Sequence, residues 1–218
     1  MGVYKVRAFH VSFYSITTLQ GIYMNYTLIG SLTSPYVRKI RLLLHGTPYE
    51  LKLVNYLEEE GNAYLKSINP VNKLPVLLDG SKAIYDSRVI FNYLSRKNKW
   101  QELSIDEENI LTAIDGAMDT SISLFMLRRG GLDLKGGNTH IERQLARVPH
   151  ILNHLAPWVK TLDEKNPTHW NFLSMSLYSY LYWVSFREMY DLKNHPELIN
   201  FLEKFKNSPG VLETTIPA

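Results

Sequence analysis

The stretch from Asn69 to Ser87 constrains the fold of this chain more than any other. It reads Asn69-Pro70-Val71-Asn72-Lys73-Leu74-Pro75-Val76-Leu77-Leu78 and closes with Ile84-Tyr85-Asp86-Ser87. Proline donates nothing to a sheet ladder, so a proline leading a buried apolar strand belongs at the strand's first residue. X-Pro bonds tolerate cis at little cost, and Leu74-Pro75 stands where a cis turn is useful. Such a turn would point the Leu74 N–H and C=O outward, free to pair with an extended peptide. Asp86-Ser87 at a helix start then offers a carboxylate, a hydroxyl and free helix N–H groups. Together these elements predict a socket for a small peptide carrying both an amine and carboxylates.

The flanking sequence predicts two parts. Tyr26 to Gly30 is a short strand of β-branched and aromatic residues. Ser34 suits an N-cap and Pro35 the first helical position, opening a helix to about His45 with Val37, Ile40 and Leu44 on one face. Tyr49 to Leu53 is the next strand, and Asn62 to Ile68 a short helix or turn. Val76 to Leu78 and Ala83 to Tyr85 form a hairpin around Asp79-Gly80. Ser87 to Arg96 is a helix with Ile90, Tyr93 and Leu94 facing inward. Beyond the linker the strand signals vanish. Ile110, Ile114, Ala117, Met118 and Phe125 recur at helical spacing from Ile105 to Arg129. Further helices are expected over 140–163, 171–187 and 195–207, separated first by the glycine-rich loop Gly130 to Asn138.

The run from Tyr26 to Lys39, with its Thr33-Ser34-Pro35-Tyr36-Val37-Arg38-Lys39 helix start, combines with Leu74-Pro75 and Asp86-Ser87 at matching spacing. In that combination the chain resembles the glutathione S-transferases, most closely bacterial members with a serine at the helix start. The resemblance is specific from Tyr26 to Tyr93 and weaker to the C-terminus, through Asn171 to Arg187 and His195 to Leu198. It implies an α/β thioredoxin-like N-terminal domain with a mixed four-stranded sheet, over residues 25–97, a linker at 98–104, and an all-α C-terminal helical domain over 105–218. It also implies a cytoplasmic homodimer, with Arg88 and the start of the long helix as contacts.

What the resemblance implies chemically follows from thiol physics. The reactive form of glutathione is the thiolate. Lowering a thiol pKa from ~8.5 by two units needs ~2.7 kcal/mol of preference for the anion. One charge-assisted hydrogen bond contributes ~1.5–3 kcal/mol and a helix N-terminus ~0.3–1. A single hydroxyl at a helix start is therefore enough. Ser34 is expected to be that donor, with Thr33 the alternative and simple capping the plain reading. The first-strand tyrosine of other family members is replaced here by Gly30. For glutathione itself, Leu74 would pair with the cysteinyl amide beside Pro75, and Asp86 would take the γ-glutamyl ammonium. Ser87 and its helix N–H groups would hold the γ-glutamyl carboxylate, and Lys73 or Lys52 would neutralise the glycine carboxylate. Tyr36, Met118, Ile122, Phe125 and Arg129 are candidates for the pocket of a second, electrophilic substrate.

The expected function is conjugation of glutathione to small hydrophobic electrophiles, with peroxide reduction as a further activity. The alternatives are a non-catalytic binding or regulatory protein of the same fold, and a glutathione-dependent isomerase or dehalogenase. The absence of cysteine among 218 residues excludes disulfides, thiolate metal sites and a protein thiol nucleophile. No metal is expected: His150 and His154 sit one helical turn apart without a third ligand. A net charge of +3 with interspersed signs argues against nucleic acid. No apolar run of membrane-spanning length is read, so no membrane partner is expected. Residues 1–24 are basic without a clean apolar h-region. They are expected to be a poorly ordered extension or the product of an upstream start, with a transit peptide as the sharper alternative.

Overall fold

The computed structural model describes residues 26–100 and 102–217; the expectation for residues 1–24 lies outside them. Two compact units result, one ending at Lys99 and joined by residues 216–217, the other running from Trp100 to Thr215.

The first unit carries β1 (Tyr26–Gly30), α1 (Pro35–Leu43), β2 (Tyr49–Leu53), α2 (Glu59–Ile68), β3 (Val76–Asp79), β4 (Lys82–Tyr85) and α3 (Ser87–Asn98). The strands lie in the order β2-β1-β3-β4, with β1 parallel to β2 and antiparallel to β3, and β4 antiparallel to β3. The mixed four-stranded sheet is as expected. Register assigns the two faces, because successive side chains alternate across a strand. Ile29 and Val76 are paired, and with Val54 of the following loop and Leu65 of α2 they form one buried cluster. Leu28 and Leu77 are also paired and buried, and alternation sends them to the opposite face. There α1 and α3 pack against each other, and α3 also packs on β3 and β4.

Two glycines are required by this geometry. Gly80 turns the hairpin at φ 59°, where a side chain is strained. A Cβ at Gly30 would meet Val37 Cγ1 at 2.5 Å, so no tyrosine fits at the end of β1 without displacing the start of α1. Helix α2 begins at Glu59, earlier than the sequence reading placed it, and α3 continues to Asn98 before Lys99 stops it in a left-handed conformation at φ 54°.

The second unit is helical: α4 (Ile105–Arg129), α5 (Thr139–Lys160), α6 (Phe172–Phe186) and α7 (Pro196–Phe205), with short 3-10 turns at Pro167–His169 and Leu192–Asn194. Helix α4 packs against α5 and α6, and α7 against α5 and α6. Ser104 and Glu107 form a capping box on α4, and Asn171 and Ser174 form one on α6. Leu177, Tyr180, Leu181 and Val184 of α6 are fully buried. The Tyr180 hydroxyl shares a 2.9 Å hydrogen bond with Ser121 of α4. One expectation is corrected. Helix α4 does contain an 18-residue window apolar enough to cross a membrane. Leu111, Ile114, Ala117, Met118 and Leu124 of this helix are buried, as in the core helix of a helical domain.

Candidate thiol-peptide site

Strand register brings the candidate residues to one end of the sheet. Ile29 near the end of β1, Val76 at the start of β3 and Tyr85 at the end of β4 lie side by side across three strands. The loop to Ser34 leaves β1 there, Leu74-Pro75 enters β3 there, and Asp86-Ser87 leaves β4 there. Neighbouring strands are ~4.8 Å apart, so β1 and β4 are separated by roughly 10 Å. An extended tripeptide spans about the same length.

At the first corner, Ser34 N-caps α1 in an extended conformation. Its Oγ accepts from the Val37 N–H at 3.3 Å, and its N–H donates to the Ser31 carbonyl at 3.2 Å. A hydroxyl that accepts one bond keeps its own proton to donate. Capping and donation to a ligand are thus compatible at Ser34. The Thr33 hydroxyl already lies 3.2 Å from Ser31 Oγ, a local pairing that Ser34 does not share. Tyr36 follows on the first turn of α1, half-buried. Arg38 and Lys39, also on α1, are almost fully buried although sequence reading treated them only as letters of a motif.

At the centre, the Leu74-Pro75 bond is cis. Among the described residues, Leu74 makes no backbone hydrogen bond through its N–H or its C=O. The loop before it is braced by Asn69, which is buried. Its amide donates to the Lys73 carbonyl at 2.7 Å and accepts from the Val71 N–H at 2.9 Å. Asn72 sits beside it at φ 53°, a conformation asparagine tolerates better than most residues.

At the far corner, Asp86 N-caps α3. Its Oδ1 accepts from the Arg88 N–H at 2.8 Å and the Val89 N–H at 3.3 Å. Asp86 is exposed, its second oxygen takes no part in either bond, and its backbone is held at φ 75°. A non-glycine residue in that region costs about 1–3 kcal/mol, and such outliers cluster at ligand clamps. Ser87 is buried at the first position of the helix.

The lysines differ. Lys52 pairs with Ile29 in register, at the same end of the sheet, but its Nζ lies 3.8 Å from the Tyr64 ring centroid. Lys73 is exposed and forms no ion pair among the described residues. Of the second-substrate candidates, only Tyr36 belongs to the first unit. In the helical unit Met118 is fully buried, Ile122 half-buried and Arg129 exposed, while the Phe125 ring meets Trp183 edge-on at 5.5 Å. Among the described residues no cluster of three or more His, Asp or Glu side chains converges as a metal site.

One network at the opposite end of the sheet escaped the sequence reading. Asp79, at the end of β3, accepts from the Tyr93 hydroxyl at 2.5 Å and from Lys97. Lys97 also lies 5.0 Å from the centroid of the Tyr26 ring. Burial pushes the Asp79 carboxyl up, but the bonds from Lys97 and Tyr93 and the charges of Lys97 and Lys82 hold it below its ordinary value. The same bond raises Tyr93 and Lys97. The network fastens α3, and with it Asp86 and Ser87, to the sheet.

Comparison with known proteins agrees with this architecture. Residues 28–100 match the family described as glutathione S-transferase, N-terminal domain, which covers nearly all of the sheet unit. Glutathione S-transferase U18 of Arabidopsis thaliana is 26% identical over 84% of this chain and 87% of its own length. Residues 28–100 are a glutathione S-transferase N-terminal domain. An uncharacterized GST-like protein, YibF of Escherichia coli, is 29% identical over 44% of this chain; the match spans about half of that protein, 51% of its length. A glutathione S-transferase structure from Methylobacterium radiotolerans, in complex with glutathione sulfonate, superposes with a TM-score of 0.74 at 23% identity over 88% of this chain and 95% of that one. A glutathione transferase family member from Pseudomonas fluorescens, with bound glutathione, gives 0.71 at 24% identity over 88% and 100%. At these identities the likeness establishes the glutathione S-transferase fold.

Proposed function

We propose that this protein binds glutathione at the end of its sheet, holds it as the thiolate and transfers it to small hydrophobic electrophiles, with organic peroxides as further substrates. The observation that carries the reading is the register across β1, β3 and β4, which spaces three recognition elements by the length of an extended tripeptide. The two structural neighbours, one in complex with glutathione sulfonate and one with bound glutathione, support the same ligand.

In this reading the Leu74 N–H and C=O pair with the cysteinyl residue of glutathione. The unengaged Asp86 oxygen receives the γ-glutamyl ammonium. The Ser87 hydroxyl and N–H receive the γ-glutamyl carboxylate, the Arg88 and Val89 N–H groups being held by Asp86 Oδ1. Lys73 faces the glycine carboxylate, because Lys52 is already engaged over Tyr64. The Ser34 hydroxyl donates to the sulfur, and the thiol proton passes to solvent. The thiolate then forms a bond to an electrophilic carbon, and the displaced group leaves with the electron pair of the broken bond. Tyr36, on the first turn of α1 beside Ser34, is the residue of the sheet unit assigned to the second substrate. The protein acts as a cytoplasmic homodimer, with Arg88 and the exposed Val89 of α3 among its contacts.

Calorimetry with glutathione tests the reading. The parent and Ser34→Ala are expected to bind, while Asp86→Ala is expected to lose binding. No binding by the parent at millimolar glutathione would refute the transferase reading and leave a binding protein of the same fold.

A further inference from the structure

We propose that helix α5 carries a cationic row that docks an acidic α-helix of another protein. Helix α5 buries Ile141, Val148, Leu152, Leu155 and Val159 and packs against α4 and α7. On its other side Arg143, Arg147, His150 and His154 are exposed. At 3.6 residues per turn and 1.5 Å per residue, these four fall within an arc of about 60° and along about 17 Å of the helix. His140 continues the row by one turn, its Nε2 3.4 Å from Gln144 Nε2. Among the described residues no carboxylate pairs with Arg143, Arg147, His150 or His154. The one acidic residue of α5, Glu142, lies about 80° outside the row. Leu145 and Ala146 stand three and four positions after it, so it reaches no cation of the row along the helix. Charges that are interspersed along the sequence are thus sorted to one side by the turn of the helix.

The row does not serve the helix that carries it. Arg143 and Arg147 are four residues apart, as are His150 and His154, and Arg147 and His150 are three apart. Like charges at these spacings destabilise a helix. A second helix with carboxylates at the same spacing would meet the row in register and cancel that repulsion. Arginine presents a rigid fork that matches a carboxylate in two parallel bonds. A lipid surface calls for apolar side chains that enter the headgroup layer. This row is one residue wide and is bordered by exposed Ala146, Asn153 and Pro157. Nucleic acid binding grows with the number of lysines and arginines set against phosphates, and the row holds two arginines. The inference stands on α5 alone and does not require glutathione binding.

Fluorescence anisotropy with the full chain at pH 6, where histidine is commonly protonated, tests the proposal. The probe is a labelled alanine-based helical peptide with glutamates at i, i+4, i+7 and i+11. Its control has the same composition with the glutamates spread around the helix. The row peptide is expected to bind at least tenfold more tightly than the control, and its binding to weaken with added salt. Arg143→Gln combined with Arg147→Gln is expected to weaken the row peptide at least tenfold and to melt no lower than the parent. Equal binding of the two peptides by the parent, or no binding of either, would overturn the proposal even if the variant folds poorly. So would tighter binding to phosphatidylserine vesicles or to a DNA duplex than to the row peptide. Row-peptide binding untouched in the folded variant would also overturn it. A change of oligomeric state in that variant, read by sedimentation, would assign the row to a contact between copies of this chain and overturn it as well.

Discussion

Replacing Asp86 by glycine and by alanine separates its structural role from its proposed role in binding. Asp86 caps α3 through Oδ1 and holds φ 75° and ψ 132°. Alanine removes the cap, a loss of about 1 kcal/mol, and leaves a Cβ in the same unfavourable backbone conformation. Glycine at an N-cap costs only a few tenths of a kcal/mol relative to aspartate. It also relieves backbone strain of about 1–3 kcal/mol. Its greater freedom in the unfolded chain offsets roughly 0.5–1 kcal/mol of that gain. The alanine variant is therefore expected to be destabilised by about 1 kcal/mol and the glycine variant to equal or exceed the parent. For a chain of this size 1 kcal/mol moves the melting temperature by about 2–4 °C. Scanning calorimetry should place the glycine variant about 3 °C or more above the alanine variant. Both variants should lose glutathione binding, because both lack the carboxylate. A glycine variant that melts at or below the alanine variant would refute the strain argument. Glutathione binding at parental affinity in either would refute the role of Asp86.

Three further outcomes are expected. The carboxyl of Asp79 is held below its ordinary value of 3.8 in the folded chain, so its contribution is present above that pH and lost as pH falls through the lowered value. Denaturant midpoints measured from pH 6 down to pH 2.5 should fall steeply for the parent and less steeply for Asp79→Asn; parallel curves would count against the network. Asn171→Ala should destabilise the helical unit by about 1 kcal/mol, since Asn171 Oδ1 accepts from the Leu173 and Ser174 N–H groups; an unmoved denaturation midpoint would remove the capping argument. Ser121→Ala leaves the fully buried Tyr180 hydroxyl without its partner and should cost about 1–3 kcal/mol, checked by urea unfolding beside Ser121→Ala/Tyr180→Phe, which should recover part of the loss.

Much of the site was legible because each corner uses residues with strong local preferences. Pro75 and Pro35 fix backbone angles and Ser34 and Asp86 are natural caps, and these four stand where the sequence placed them; the hairpin turn falls one residue later than expected, at Gly80-Ser81, because Asp79 still pairs with Lys82 in the ladder. The bounds of β1, β2 and α4 agree with the sequence reading for the same reason: capping and turn signals stand at their ends. The start of α2 was not legible, because Glu58, Glu59 and Glu60 carry no apolar periodicity and the helix buries only Leu65. The positive φ of Asp86 has no compositional mark, since aspartate there reads as an ordinary cap. The Asp79–Tyr93–Lys97 network joins residues 14 and 18 positions apart, which meet only after the hairpin and α3 have folded against each other. The apolar window of α4 was obscured by Asp115 and Asp119 within it. Arg187 read as the end of an aromatic helix; its guanidinium comes to lie over the Phe125 ring only through the packing of α4 against α6.

The central claim is that one hydroxyl, Ser34, stabilises the thiolate of a tripeptide bound at the sheet end. The most direct test is the thiol pKa of bound glutathione, read from thiolate absorbance across pH in the parent and in Ser34→Ala. The account predicts that the parent lowers the thiol by about two units from ~8.5 and that Ser34→Ala, while still binding, returns most of that shift. An unshifted thiol in the parent, or the same lowered value in both proteins, would contradict it.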